Sequence, residues 1–309
     1  MNLRLIVSCL IALLLTAGRA LTADRVLPRQ LTESKTLLRN VKVWGCQLQR
    51  IDQAAVAATK LDLVVIDAMK NAQAGIALSR AEVAALQKKP DGGRRLVMAY
   101  LSVGEAETYR SYWRKDWLTA PPVWLAAANE KWPGAYGVRF WEPAWQHIVF
   151  EGPASLLGNI LDAGFDGVFL DRVDAYSDWE GERATAASDM VDLVARLATR
   201  ARSVDSGFLI IGQNSEGLLT NKRYLANIDA VSKESLLFGR AGEGILNTDE
   251  EVAWSLKYLK PAHKSGLPVL AIEYLDDPLK KADARRRLAN LGFLPFFANR
   301  LLDRTPAEP

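Results

Sequence analysis

Carboxylates sit at the ends of the most apolar runs of this chain. In "GFDGVFLDRVDAY" (164–176), Asp171 directly follows Gly167-Val168-Phe169-Leu170, and Asp174 comes three residues later. Asp67 closes "LDLVVID", Glu105 and Glu107 follow "LVMAYLSVG" with its Tyr100, and Asn214 and Glu216 follow "GFLIIGQ". Glu234 closes "IDAVSKE", and Glu273 with Tyr274 closes "LPVLAIEY". An acid at the tip of a buried run is tolerable where that tip opens to water or meets a partner. With two histidines in the chain, His147 and His263, this inventory suits two-carboxylate chemistry better than a triad. Crowding and partial desolvation raise the pKa of one acid of a pair, so that one donates a proton while the other attacks or acts as base.

Structural readings compete for several of these residues. Asp67 and Glu273 could satisfy backbone amides or arginines at a rim, Asp174 could cap the following helix, and Glu105 could be held by Arg110 or Arg114. Asp171 and Glu234 resist such readings best, each being an ionisable group at the tip of a long hydrophobic strand. A ring of oxygen ligands for magnesium or calcium is the rival chemistry. Few histidines and a single cysteine beyond the leader argue against a histidine- or thiolate-based metal site, and no cofactor is implied.

The elements that must position these acids alternate along the chain. Strands are predicted over Val41–Gln47, Leu61–Asp67, Arg95–Ser102, Asp166–Asp171, Phe208–Asn214, Ile228–Glu234, Pro268–Tyr274 and Gly292–Ala298. Several are near-continuous aliphatic runs, the look of parallel strands buried on both faces. Helical signals fill the gaps: capping boxes at Ser79/Glu82 and Thr248/Glu251, an apolar stripe in "SDMVDLVARLATRA", and Pro278 and Gly292 bracketing "PLKKADARRRLANLG". Eight such units in roughly 260 residues match a (β/α)8 TIM barrel, whose strand tips share one mouth. A doubly wound open sheet is the competitor, although no strand is followed by a glycine-rich phosphate-binding turn. Pro295 predicts a shortened or bulged last strand.

The third unit is extended between Glu105 and Gln146 and contains six of the nine tryptophans: Trp113, Trp117, Trp124, Trp132, Trp141 and Trp145. Most are expected to pack this loop onto the barrel. Some could line a groove, since flat aromatic faces suit sugar rings, and Trp141 is the candidate.

Composition is that of an ordinary globular chain of 309 residues, 49% hydrophobic and 24% charged. The formal charge is +3, without long charged runs, which offers nothing to nucleic acid or a membrane surface. Residues 1–23 read as a signal peptide: basic Met1–Arg4, apolar "LIVSCLIALLLTA", and small residues placing cleavage after Ala20 or Ala23. Export to the periplasm or beyond is expected, and loss of Arg4 and Arg19 takes the charge from +3 to +1. Cys9 falls in the leader, leaving Cys46 without a disulfide partner. Residues 24–309 form a single domain in this reading, and a monomer is expected.

The set "AYLSVGEAETYRSYW", "FWEPAWQ", "GFDGVFLDRVDAY", "IIGQNSEGLL" and "DAVSKESL" resembles the endo-α-1,4-polygalactosaminidase family of glycoside hydrolases, family 114, from about Trp44 to Tyr274. That resemblance implies a secreted (β/α)8 barrel cleaving α-1,4-linked galactosamine polymers with retention. It implies Asp171 as nucleophile and Glu234 as acid/base, with Glu216 as the reserve candidate. Asp67, Tyr100, Glu105, Trp141, Asp174, Asn214, Glu216, Glu273 and Tyr274 would then hold the substrate. A mouth with six or more carboxylates would attract the ammonium groups of a partly deacetylated amino-sugar polymer. A secreted carbohydrate-binding barrel without turnover is the alternative; a metal-dependent deacetylase or phosphodiesterase is a weaker one.

Overall fold

The computed structural model describes residues 27–306, so the expected leader and Cys9 lie outside the described residues. Eight parallel strands follow one another around a nearly closed barrel: β1 (Trp44–Gln47), β2 (Leu63–Asp67), β3 (Leu96–Ser102), β4 (Gly167–Asp171), β5 (Leu209–Gln213), β6 (Ala230–Glu234), β7 (Val269–Tyr274) and β8 (Leu294–Ala298). Each pairs in parallel with its sequence neighbour, with Ser102 of β3 level with Asp171 of β4. All eight expected strands are present, and the doubly wound alternative is excluded by this order.

At the seam between β8 and β1, side chains take over. The Trp44 indole Nε1 donates to Leu294 O at 2.9 Å, and its ring lies 5.3 Å from Phe296. β8 begins at Leu294, two residues later than expected, with Pro295 inside it; a strand with a ladder on one side is where proline is tolerated.

The period of two in a strand sorts the core into two compartments. Trp44, Cys46, Leu63, Val65, Leu96, Met98, Phe169, Leu209, Ile211, Ala230, Leu270, Ile272 and Phe296 fill the barrel. Their neighbours Val64, Ile66, Val97, Ala99, Val168, Leu170, Ile210, Val231 and Ala271 face the surrounding helices. Both capping boxes form, as does the helix Ala186–Val204 with its buried stripe. Asp277 caps the helix Pro278–Asn290, whose chain then turns through Gly292 at φ +75°.

Two parts go beyond the sequence reading. A helix over Leu27–Asn40 precedes β1 and contributes Leu38 to the barrel-filling cluster. The extended third unit carries an antiparallel sheet of its own, Glu105–Glu107, Leu125–Ala128 and Ala135–Val138. Its tryptophans form a cluster: Trp113 edge-on to Trp117, Trp117 edge-on to Trp124 and Trp124 tilted against Trp145, with centroids 5.0–5.4 Å apart. The Trp145 indole donates to Val103 O at 2.9 Å, so the cluster clamps the insertion to the end of β3.

Candidate active site

The inward-facing register ends, at the C-terminal tips, in polar residues. Asp67 lies two residues past Val65, Tyr100 two past Met98, Asp171 two past Phe169, Gln213 two past Ile211 and Tyr274 two past Ile272; Glu234 continues the face of Ala230. These tips line a cleft of about 1300 Å³, together with Glu105, Glu107, Tyr109, Trp132, Arg172, Asp174, Asn214 and Arg300. The chain turns away directly after three of the tips, because Arg172, Asn214 and Ser235 adopt left-handed φ of +58°, +51° and +52°. Non-glycine residues in that region store strain, which concentrates where a site must be held in place.

Asp171 and Glu234 stand on β4 and β6, with β5 between them. Strands two apart are separated by about 10 Å along a barrel wall, a gap that side chains leaning inward from both can close around one sugar. Asp171 accepts from the Tyr100 hydroxyl (2.7 Å) and from its neighbour's amide, Arg172 N (2.8 Å). Glu234 accepts from the Tyr274 hydroxyl (2.7 Å) and from Asn214 Nδ2 (3.1 Å). The orientation of the Asn214 amide is fixed from behind, since its Oδ1 takes Glu234 N–H (3.2 Å) and Lys233 Nζ (3.3 Å).

Burial, and then the nearby charge of Glu234, push the Asp171 carboxyl up to about 7. Asp174 is raised to about 6, by burial first and by Glu234 and Asp178, against the pull of Arg172. Tyr100 and Tyr274 are held well above the usual tyrosine value by burial and by Asp171 and Glu234 respectively, so both remain hydroxyl donors. Cys46 lies in the barrel interior on β1, and its thiol is pushed up by burial and then by both Asp171 and Glu234.

The remaining acids are largely occupied. Arg110 bridges Asp67 (2.9 Å) and Glu107 (2.6 Å), and Asp67 also accepts from Met69 N. Glu105 is held by Asn129 (2.9 Å) and by Arg172, whose Nε lies 2.9 Å away although its N–H is not aimed at the oxygen. The partners expected for Glu105, Arg110 and Arg114, instead bind other acids. Asp174 does not cap a helix; it lies 3.4 Å from Arg172 with its side chain 36% exposed.

Three expected substrate residues lie outside the cleft. Glu273 directly precedes Tyr274, so the strand alternation turns it out of the barrel, where it accepts the Leu237 and Phe238 amides (2.8 and 3.1 Å). Glu216 is buried in the short helix after β5, paired with Lys233 (3.0 Å) and Ser255 (2.8 Å), which removes it as the reserve acid. Trp141 meets Trp179 edge-on, beneath Arg183. The tryptophan that does line the cleft is Trp132, on the hairpin between the second and third strands of the insertion and 43% exposed. With Asp67, Glu105 and Glu107 held by arginines and Arg50, Lys70, Lys131, Arg172 and Arg300 also lining the cleft, the strongly acidic mouth expected from the sequence shrinks to Asp171 and Glu234, with Asp174 partly offset by Arg172.

Fold and site together define a barrel of the carbohydrate-cleaving type, with acids rather than histidines at the strand tips. The model of glycoside-hydrolase family GH114 matches residues 28–306, and the chain belongs to that family. A protein of Deinococcus radiodurans described as uncharacterised is 35% identical over 93% of this chain and 90% of its own length. Another, from Methanocaldococcus jannaschii, is 30% identical over 95% and 90%. The fold is similar to the glycoside hydrolase domain of PelA from Pseudomonas aeruginosa, with TM-score 0.65, 20% identity, and coverage of 87% of this chain and 98% of that one. It is also similar to TtGalA, an α-galactosidase from Thermus thermophilus solved with stachyose, with TM-score 0.50, 13% identity, and coverage of 84% and 62%.

Proposed function

We propose that this chain is an exported, monomeric glycoside hydrolase that cleaves α-1,4-linked galactosamine-containing polysaccharide with retention at the anomeric carbon. The observation that carries the reading is the pairing of Asp171 and Glu234 at inward-facing tips of one cleft, each held by a tyrosine hydroxyl and an amide. In the first step Glu234 gives its proton to the glycosidic oxygen while an Asp171 oxygen bonds to the anomeric carbon, and the leaving chain departs with that proton. In the second step Glu234 takes a proton from water as the water oxygen displaces Asp171, releasing the sugar. Asp171, pushed up to about 7 by burial and then by Glu234, must be ionised to attack, so the rate should rise as pH approaches about 7. Asp174 and Asn214 would hold sugar hydroxyls or amines and Trp132 would contact a sugar ring, a reading supported by all three lining the cleft.

The test is incubation of the purified protein with partly deacetylated α-1,4-galactosamine polymers, followed by reducing-end release, product mass and proton NMR of the first-formed anomer. An α first product and a loss of about 10²–10⁴-fold in Asp171→Asn and Glu234→Gln are expected. Binding without release would favour the non-catalytic barrel, and a β first product would replace retention by inversion. Sequencing the mature N-terminus from the exporting host tests cleavage after Ala20 or Ala23.

A further inference from the structure

Tyr100 has one hydroxyl proton and two carboxylates within reach. Its oxygen is 2.7 Å from Asp171 Oδ2 and 3.5 Å from Glu107 Oε1. The second distance is too long for a good bond, yet a small rotation would close it. Glu107 is already engaged: Oε2 accepts from Arg110 Nε at 2.6 Å and Oε1 from the Tyr109 hydroxyl at 2.5 Å. Arg110 is buried, reaches Asp67 with Nη1 at 2.9 Å, and lies 5.0 Å from the Tyr109 ring centre and 6.0 Å from that of Tyr100.

We propose that Arg110 is a positioning residue for cleavage: by neutralising Glu107 it turns the Tyr100 hydroxyl onto Asp171. The inference rests on Asp171 being the nucleophile. A carboxylate filled by a guanidinium and a phenol has little pull on a third donor, whereas a buried carboxylate stripped of its cation takes any donor nearby. Tyr100 would then leave Asp171 with the Arg172 amide alone, and the anion would lose one of its two donors. Asp171 also faces Glu234 from β6, Tyr274 from β7, Cys46 from β1, and Asp174 and Arg172 from its own loop. Asp67 stands behind Arg110 on β2. Any of these charges could move the Asp171 titration directly, so the test must isolate the path through Tyr100.

The Asp171 carboxyl is followed by ¹³C NMR titration of the full chain labelled at aspartate, which requires no turnover. Arg110→Met is expected to raise the Asp171 midpoint by about one unit. Adding Glu107→Gln should return most of that shift, although Asp67 still lacks its cation. Tyr100→Phe should raise the midpoint on its own, and Arg110→Met should then add nothing further. An equal Arg110→Met shift with and without Tyr100 would mean a direct charge effect and overturn the proposal, as would no shift in a folded Arg110→Met protein. Arg110→Lys, which keeps the charge but not the two-carboxylate bridge, should give a smaller shift that Glu107→Gln abolishes; it carries the same test if Arg110→Met does not fold. If no amino-sugar polymer is cleaved by the wild type, the functional reading fails while these titrations still decide the role of Arg110.

Discussion

Replacing Asp171 with asparagine should destroy activity and, above neutral pH, make the protein more stable. The carboxyl is raised from 3.8 to about 7 by burial and by Glu234. Ionisation is therefore easier in the unfolded chain than in the folded one. Between about pH 4 and 7 the unfolded chain has lost this proton and the native state has kept it, so stability falls as pH rises through that window and is flat above it. Roughly three units at 1.36 kcal/mol each set a ceiling of about 4 kcal/mol. Asp171 is partly open to the cleft, where water screens part of this, so about 2–4 kcal/mol is the expected size.

The assay is urea unfolding of wild type and Asp171→Asn at pH 4.5 and pH 8. The informative quantity is the change with pH of the difference between the two proteins, because Asp174 and Glu273, also raised, titrate in both. From pH 4.5, which leaves about 2.5 units of that window, the variant's advantage should grow by about 1.5–3 kcal/mol to the higher pH. A difference that stays flat, or shrinks, would refute the reasoning. It would mean that the donors Tyr100 and Arg172 N favour the anion by more than burial and Glu234 oppose it.

Trp132→Ala should raise the KM for polymer about 2–12-fold, the equivalent of one aromatic stacking contact of about 0.5–1.5 kcal/mol, while Trp141→Ala leaves KM unchanged. Initial rates across polymer concentrations distinguish the two. A methyl on Gly104 would come 2.4 Å from Arg172 O and 2.5 Å from the Ala175 Cβ. Gly104→Ala is therefore expected to cost about 1–3 kcal/mol in urea unfolding and to lower kcat by displacing the turn that follows Asp171. Arg95, fully buried, donates to Leu61 O (3.0 Å), Leu86 O (2.9 Å) and the Thr59 carbonyl; Arg95→Met should cost about 3 kcal/mol or more by orphaning those carbonyls, read as a lower urea midpoint.

The strands were legible because parallel staves buried on both faces must be aliphatic, and the acids at their tips because a charge there has to meet water or a partner. The same alternation that built the barrel also contained a correction that the tip rule missed. Glu273 and Tyr274 are adjacent on β7, so one of them had to point away from the cleft, and counting in twos from Leu270 and Ile272 selects Tyr274. Glu216 lies beyond the end of β5, where that period no longer applies, and its place depends on Lys233 and Ser255 from other elements. Trp132 and Trp141 could not be told apart by type, because which ring faces the cleft is set by an antiparallel insertion whose pairing no local pattern announces.

What the sequence hid most completely is the division of labour among the acids. Eight carboxylates near strand tips read as one acidic mouth, yet their chemical differences come from cations that arrive from distant positions. Arg110 crosses from the insertion to Asp67 on β2, Arg172 reaches Glu105, and Lys233 takes Glu216 on the outer side of β6. Each pairing removes an acid from competition for the substrate and for protons. Asp171 and Glu234 are held instead by neutral donors, two tyrosines and two amides, which orient a carboxylate without cancelling its charge. A carboxylate that must bond to carbon or pass a proton needs that kind of support, because a guanidinium locked onto it would hold the charge the reaction has to move.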